Sequence, residues 1–242
     1  MRILTVEKLN KSFGGLKAIN NLDFYVDEGE IIGIIGPNGS GKTTSLNLLT
    51  GFLKPNSGKI TFLGNDITGM ARNRVCQKGI ARTFQLCKPF LDFTALQNVV
   101  VGRVYGRKPS KTMRAATVES RELLEMVDLG RKAEILVKDL TVMERKRLEL
   151  ARALATKPAM LLLDELMAGL NLAEADAVCK LISRIRDSQV TIIMVEHIVK
   201  AVTCISDRII VLNMGEKIAE GTPGEIIYNP KVIQVYLGKS HA

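Results

Sequence analysis

No apolar run among the 242 residues approaches the roughly 18 that a membrane-spanning helix needs. The first residues, Met1, Arg2, Ile3, Leu4, Thr5, Val6 and Glu7, alternate like a strand and lack the long apolar centre of a signal peptide. Low-complexity tracts are missing, and no repeat of roughly 20 to 50 residues is visible, which sets aside disordered and repeat-array classes. Cysteine is scarce: Cys76, Cys87, Cys179 and Cys204 are scattered, with no C-x-x-C pair and no accompanying histidine cluster. They read as small buried hydrophobes or surface thiols. A soluble, cytosolic protein is the expectation.

What remains is an ordinary globular composition, 46% hydrophobic, long enough for one large domain or two small ones. The formal net charge of +9 suits nucleic acid, anionic headgroups or nucleotide phosphate equally. Basic residues are spread along the chain, with Arg103, Arg107, Lys108, Lys111 and Arg114 as the densest patch. Charge alone does not choose a partner.

The sharpest signal is the stretch Gly36, Pro37, Asn38, Gly39, Ser40, Gly41, Lys42, Thr43, which fits the phosphate-loop pattern G-x-x-x-x-G-K-S/T. The apolar run Ile31, Ile32, Gly33, Ile34, Ile35 reads as a buried strand leading in. Residues 44–49 read as the helix leading out, with Gly51 placed to end it. Glycines let the backbone turn successive N–H groups inward toward phosphate oxygens, and the helix N-terminus adds partial positive charge. Lys42 suits the β- and γ-phosphates, and the Thr43 hydroxyl suits Mg2+.

Around this unit the pattern is of a mixed α/β chain. Residues 1–30 read as antiparallel strands broken at Gly14 and Gly15; Phe13, just before that turn, suits stacking on a base or a place in a strand's core. Residues 58–63 with the Gly64 and Asn65 turn read as another hairpin, and residues 78–85 as a strand ending in Gln85. Residues 94–139 read as helical, inserted between two core strands. A helix is expected from Arg145 to before Pro158, followed by a buried strand that ends in Asp164 and Glu165. Asn171 with Glu174, and Thr222 with Pro223 and Glu225, read as helix starts. Residues 190–195 and 208–211 read as further strands; the former ends in Glu196 and His197, one of only two histidines.

The polar residues fall where chemistry needs them. The phosphate loop, Gln85, Asp164 with Glu165, and His197 each follow the C-terminal end of a predicted strand, the edge where open α/β sheets bind ligands. Asp164 suits a Mg2+-positioning carboxylate, and Glu165 a general base on an attacking water. Gln85 suits metal-bound and attacking water through its amide, and His197 suits a γ-phosphate contact.

This set resembles the nucleotide-binding subunit of ATP-binding cassette (ABC) transporters over essentially the whole chain. The resemblance implies residues 1–242 as a single ABC nucleotide-binding domain: a phosphate-loop NTPase core, an antiparallel β subdomain, and a helical subdomain inserted at about 90–155. It implies ATP and Mg2+ as cofactors. The nucleotide would be held by Phe13, Gly36, Pro37, Asn38, Gly39, Ser40, Gly41, Lys42, Thr43 and Thr44, and the metal by Thr43, Gln85 and Asp164. Glu165, Gln85 and His197 would be catalytic. Finer features resemble the ATPase of branched-chain amino-acid importers, among them Ala81, Arg82, Thr83, Phe84, Gln85 and the ending Tyr236, Leu237, Gly238.

Two departures stand out. The family signature, usually Leu-Ser-Gly-Gly-Gln, is here Leu140, Thr141, Val142, Met143 and Glu144. Both glycines are lost, side chains stand where positive φ and close phosphate approach are expected, and Glu144 adds a negative charge. Leu166 also replaces the proline that commonly follows the catalytic glutamate. Because the signature acts on the opposite subunit's nucleotide in this family, a second ABC ATPase subunit is expected, in a homo- or heterodimer, with the heterodimer favoured by the altered signature. Membrane permease subunits would hold the pair on the inner face of the cell membrane, and no nucleic acid is expected. The competing expectations are a nucleic-acid-associated ABC ATPase, suggested by the basic charge, and a non-hydrolysing ATP-binding regulator.

Overall fold

A computed structural model describes residues 1–84, 89–196 and 199–237. The chain divides into two compact units, Met1–Arg72 with Met167–Ala242, and Asn73–Leu166.

The first unit begins with a long hairpin. Strands β1 (Arg2–Phe13) and β2 (Leu16–Asp27) pair antiparallel around Gly14 and Gly15, with Phe13 opposite Leu16. Alternate residues Leu4, Val6, Leu22, Phe24 and Val26 are buried, the period of a half-covered strand. Strand β3 (Ile31–Ile35) is buried at every position, and helix α1 (Lys42–Leu49) follows the phosphate-loop stretch, starting two residues earlier than expected. Strands β4 (Ser57–Phe62) and β5 (Asn65–Asp66) complete an antiparallel sheet in the order β2-β1-β4-β5. Leu63 and Gly64 between them both take positive φ, the condition for a tight two-residue hairpin turn.

The second unit differs from expectation at its start. Residues 78–85 are not one strand: helix α2 (Arg72–Lys78) runs up to a turn at Gly79, and strand β6 (Ile80–Arg82) is only three residues long. Helices α3 (Ala95–Tyr105) and α4 (Met113–Met126) start on the caps Thr94 and Thr112, and helix α5 is Val142–Ala155. These three helices pack on one another, burying Leu96, Val99, Ala116, Leu124, Leu148 and Leu150. Strand β7 (Met160–Asp164) lies parallel to β6 and is wholly buried. The basic patch loses one member, because Arg103 is buried on α3 and paired with Glu119 of α4. That guanidinium holds the Glu119 carboxyl down at about 2.

The chain then returns to the first unit through helix α6 (Leu172–Asp187), strand β8 (Thr191–Val195), helix α7 (Val199–Ile205) and strand β9 (Arg208–Asn213). Strand β10 (Glu216–Gly221) and helices α8 (Pro223–Ile227) and α9 (Pro230–Leu237) close the described chain. Within this unit β3 lies parallel between β8 and β9, and β10 pairs antiparallel with β9. Helix α7 crosses β3 closely: a Cβ on Gly33 would lie 2.1 Å from the Val202 Cγ1 atom. Strands covered on both faces explain the continuous apolar runs of β3 and β8.

Candidate functional site

Between β3 and α1 the backbone turns through residues 36–41. Gly36 and Gly41 take φ of 153° and 105°, which side chains rarely adopt. Both are also crowded, since a Cβ would lie 2.1 Å from the Leu212 carbonyl oxygen at Gly36 and 2.7 Å from the Ala18 carbonyl oxygen at Gly41. Outside neighbours brace the loop: Gly215 N–H donates to the Ser40 carbonyl (3.0 Å), and Asn20 N–H donates to the Gly215 carbonyl (2.9 Å). The Lys42 ammonium, 5% exposed, donates to the carbonyls of Gly36 (2.8 Å) and Pro37 (2.9 Å). Asn38, Gly39 and Thr43 are exposed, and Pro37 and Thr44 are half-buried.

Gly41 is the N-cap of α1 and supplies no side-chain cap. The first N–H groups of a helix have no partner within it, so an uncapped start offers them outward with the positive end of the helix dipole. The Ser40 hydroxyl is buried with no hydrogen-bond partner among the described residues. An orphaned hydroxyl, an uncapped helix start and a buried ammonium form a donor set for phosphate oxygens. The Tyr236 phenol of α9 also reaches this loop. Burial pushes its pKa up, and a hydrogen bond with the Gly36 backbone pulls it the other way.

The second group of residues sits at the end of β7. The Asp164 carboxylate is paired with Arg82 (2.6 Å), and both side chains are 4% exposed. Asp164 N–H donates to the Thr83 hydroxyl (3.3 Å). Glu165, 8% exposed, takes φ of 50°, a left-handed conformation that costs a non-glycine residue of order 1–3 kcal/mol. Such strain at a buried carboxylate, directly after a strand, marks a place where the fold overrides local preference. Lys146 Nζ donates to the carbonyl of the next residue, Leu166 (3.1 Å).

The stretch Leu140 to Glu144 is the start of α5, not a loop before it. Thr141 is the N-cap; its hydroxyl accepts from Glu144 N–H, and the Glu144 carboxylate accepts from Thr141 N–H (2.9 Å). Val142 and Met143 are therefore first-turn helix residues, and the expected positive φ does not arise. Glu144 also pairs with Lys132. That hydrogen bond, with the one from Thr141, holds its carboxyl below the usual range.

Phe13 is 46% exposed at the tip of β1, with the Lys11 ammonium 5.2 Å from its ring centre, so the base-facing reading of this aromatic has an open surface. Gln85 and His197 lie outside the described residues, as does Gly238 of the C-terminal ending. Three buried polar residues had no sequence role beforehand. Arg82 holds Asp164, Glu149 of α5 accepts Phe84 N–H (2.7 Å), and Glu196 accepts Met167 N–H (2.7 Å). The only signal for them was position: Arg82 and Glu196 end strands, and Glu149 falls on the apolar face of its helix.

Comparisons with known proteins point to one family. Residues 19–168 match the family model described as ABC transporter, and residues 216–242 match the one described as branched-chain amino acid ATP-binding cassette transporter. The chain is 39% identical over 251 aligned positions to the high-affinity branched-chain amino acid transport ATP-binding protein BraF of Pseudomonas aeruginosa, covering 98% of each. Two solved structures, a nucleotide-free ATP-binding cassette from an ABC transporter and an ATP-binding cassette in its ADP conformation, each superimpose with a TM-score of 0.90 at 30% identity. Each covers 99% of this chain and is itself covered completely. The chain has the ABC ATPase fold and belongs to the ABC transporter family.

Proposed function

We propose that this chain is the ATP-binding and ATP-hydrolysing subunit of an importer that takes up branched-chain or related amino acids through separate permease subunits. The observation that carries this reading is the braced loop at 36–43, with buried Lys42 lying across the carbonyls of Gly36 and Pro37 and an uncapped helix behind it. Likeness to BraF over nearly the full length, and the C-terminal family match, support the substrate class. No helix among the described residues is long and apolar enough to cross a membrane, which is consistent with attachment to the inner face through permeases.

Loop N–H groups, the Lys42 ammonium and the Thr44 hydroxyl hold the phosphates, and Phe13 stacks on the base. The Thr43 hydroxyl, the Asp164 carboxylate and the Gln85 amide are hard oxygen donors of the kind Mg2+ takes, and would hold it. Mg2+ held there would supply charge neutralisation at the nucleotide's phosphates. Glu165 accepts the proton of the attacking water, and His197 contacts the γ-phosphate. Glu165→Gln should lower kcat by about 10²–10⁴-fold with nucleotide affinity unchanged. Equal loss of both would sink the role of Glu165. Deleting the gene from its native host and measuring leucine uptake tests the substrate class; unaltered uptake of leucine, isoleucine and valine would refute it.

The second ATPase subunit is a different chain. The capping box ties up the Thr141 and Glu144 N–H groups, two of the donors that a signature would turn toward a partner's phosphate, and side chains replace both signature glycines, so this chain's own ATP meets an intact signature on a sister subunit. With Mg-ATP, the Glu165→Gln chain alone should stay monomeric while holding nucleotide. An ATP-dependent doubling of mass would mean that a homodimer closes on Leu140 to Glu144.

A further inference from the structure

Arg82 is placed against the carboxylate that ends β7. Its guanidinium lies 2.6 Å from Asp164 Oδ2, and the two side chains are equally buried, at 4% exposure. Neighbouring bonds fix the backbone on both sides of the pair: Thr83 N–H donates to the Leu162 carbonyl (2.9 Å), and Asp164 N–H donates to the Thr83 hydroxyl (3.3 Å). Phe84 N–H is held by the Glu149 carboxylate (2.7 Å), and the Phe84 ring centre lies 5.1 Å from the Arg82 guanidinium carbon. The ion pair therefore joins two short strand ends that cannot rotate away from each other. Tying Oδ2 to the guanidinium restricts rotation of this buried carboxylate and leaves Oδ1 as the oxygen not held by Arg82.

We propose that Arg82 is a positioning residue for metal: by clamping Oδ2 it presents Oδ1 of Asp164, in a fixed direction, to the hydration shell of nucleotide-bound Mg2+. The inference rests on the reading of Asp164 as the metal-side carboxylate. Arg82 itself touches neither metal nor nucleotide. Partners that orient a ligating carboxylate typically contribute 10–100-fold to metal affinity, because an unclamped carboxylate must be ordered when the metal arrives. Arginine suits the task better than lysine, since its planar fork fixes direction whereas an ammonium acts as a point charge.

The test is nucleotide binding by the full chain, measured by calorimetry with ADP in excess chelator and again across a Mg2+ titration. Arg82→Gln should leave metal-free ADP affinity unchanged and raise the Mg2+ concentration for half-maximal tightening roughly 10–100-fold. Arg82→Lys should fall between, and it decides the matter if Arg82→Gln does not fold, because it keeps the buried charge balanced. Asp164→Asn separates the two ideas. If it shifts the Mg2+ midpoint and the Arg82 variants do not, the positioning role is overturned while the role of Asp164 stands. If Asp164→Asn has no effect on the midpoint, the metal-side reading falls and the proposal falls with it. A midpoint that moves to lower Mg2+ in Arg82→Gln would make Arg82 a competitor of the metal, and would also overturn the proposal.

Discussion

The starts of α1 and α5 differ in which groups satisfy their first N–H groups. At α1 the N-cap is Gly41, left-handed and without a side chain, and the basic residue Lys42 is folded back over the loop. At α5 the N-cap is Thr141, whose hydroxyl and backbone exchange hydrogen bonds with Glu144, and an acidic carboxylate sits in the first turn. A helix start needs acceptors for its N–H groups. One start has no side-chain cap and adds positive charge; the other fills two of them, at Thr141 and Glu144, from within and adds negative charge, balanced by Lys132. The same element begins without a side-chain cap in one unit and with a reciprocal capping box in the other, and four or five residues decide which.

The largest effect should come from removing the charge at the open start. Lys42→Ala loses charge-assisted contacts to phosphate and is expected to weaken ATP binding by about 2–4 kcal/mol, roughly 30- to 700-fold. Equilibrium binding checks this, and a change below about threefold would remove the contrast with α5. Next is Gly41→Ala. A Cβ there meets the Ala18 carbonyl oxygen at 2.7 Å and Ile19 Cδ1 at 2.8 Å, with φ at 105°. Strain of about 1–3 kcal/mol should appear as a lower urea midpoint, together with weaker nucleotide binding. At α5, by contrast, Thr141→Ala should cost about 1 kcal/mol of stability through loss of the cap, and should leave ATP binding by this chain unchanged.

How far these starts were legible in the sequence follows from the kind of signal each carries. The open start was plain, because glycine, lysine and threonine at fixed spacing have few other uses. The strands β3, β7 and β8 were equally plain as uninterrupted apolar runs, and the caps at Asn171 and Thr222 formed as their side chains predict. The α5 start was misread although Thr141 and Glu144 have capping-box spacing. The apolar pattern at Leu148, Leu150, Ala151 and Leu154 marks the helix only from Arg145, three residues after its true start. Strand β10 carries no strand signal in the sequence because Glu216, Lys217 and Glu220 give it no apolar face; it is defined by its pairing with β9. Helix α2 buries only Val75, too little to leave a period. Arg103 was counted as surface charge because its partner Glu119 lies sixteen residues away on another helix. Gaps of this last kind close only with tertiary structure, which also paired Arg82 with Asp164.

The smallest expected effect is the most discriminating about the closed start. Glu144→Gln keeps an acceptor for Thr141 N–H but removes the charge that pairs with Lys132. Half-exposed ion pairs are worth about 0–1 kcal/mol, so the loss at neutral pH should be of that order. The hydrogen bond from Lys132 and that from Thr141 keep the folded carboxyl below its ordinary value of 4.5. A lowered folded pKa means that the contribution is fully present above the unfolded value and is lost as pH falls through the folded one. Urea midpoints of the wild type and Glu144→Gln should therefore differ at pH 7 and converge as pH falls below the ordinary carboxylate range. A gap that persists in acid would show that Glu144 acts through packing. The start of α5 would then be closed by shape rather than by charge, and neutralising Glu144 would not by itself make it receptive to phosphate.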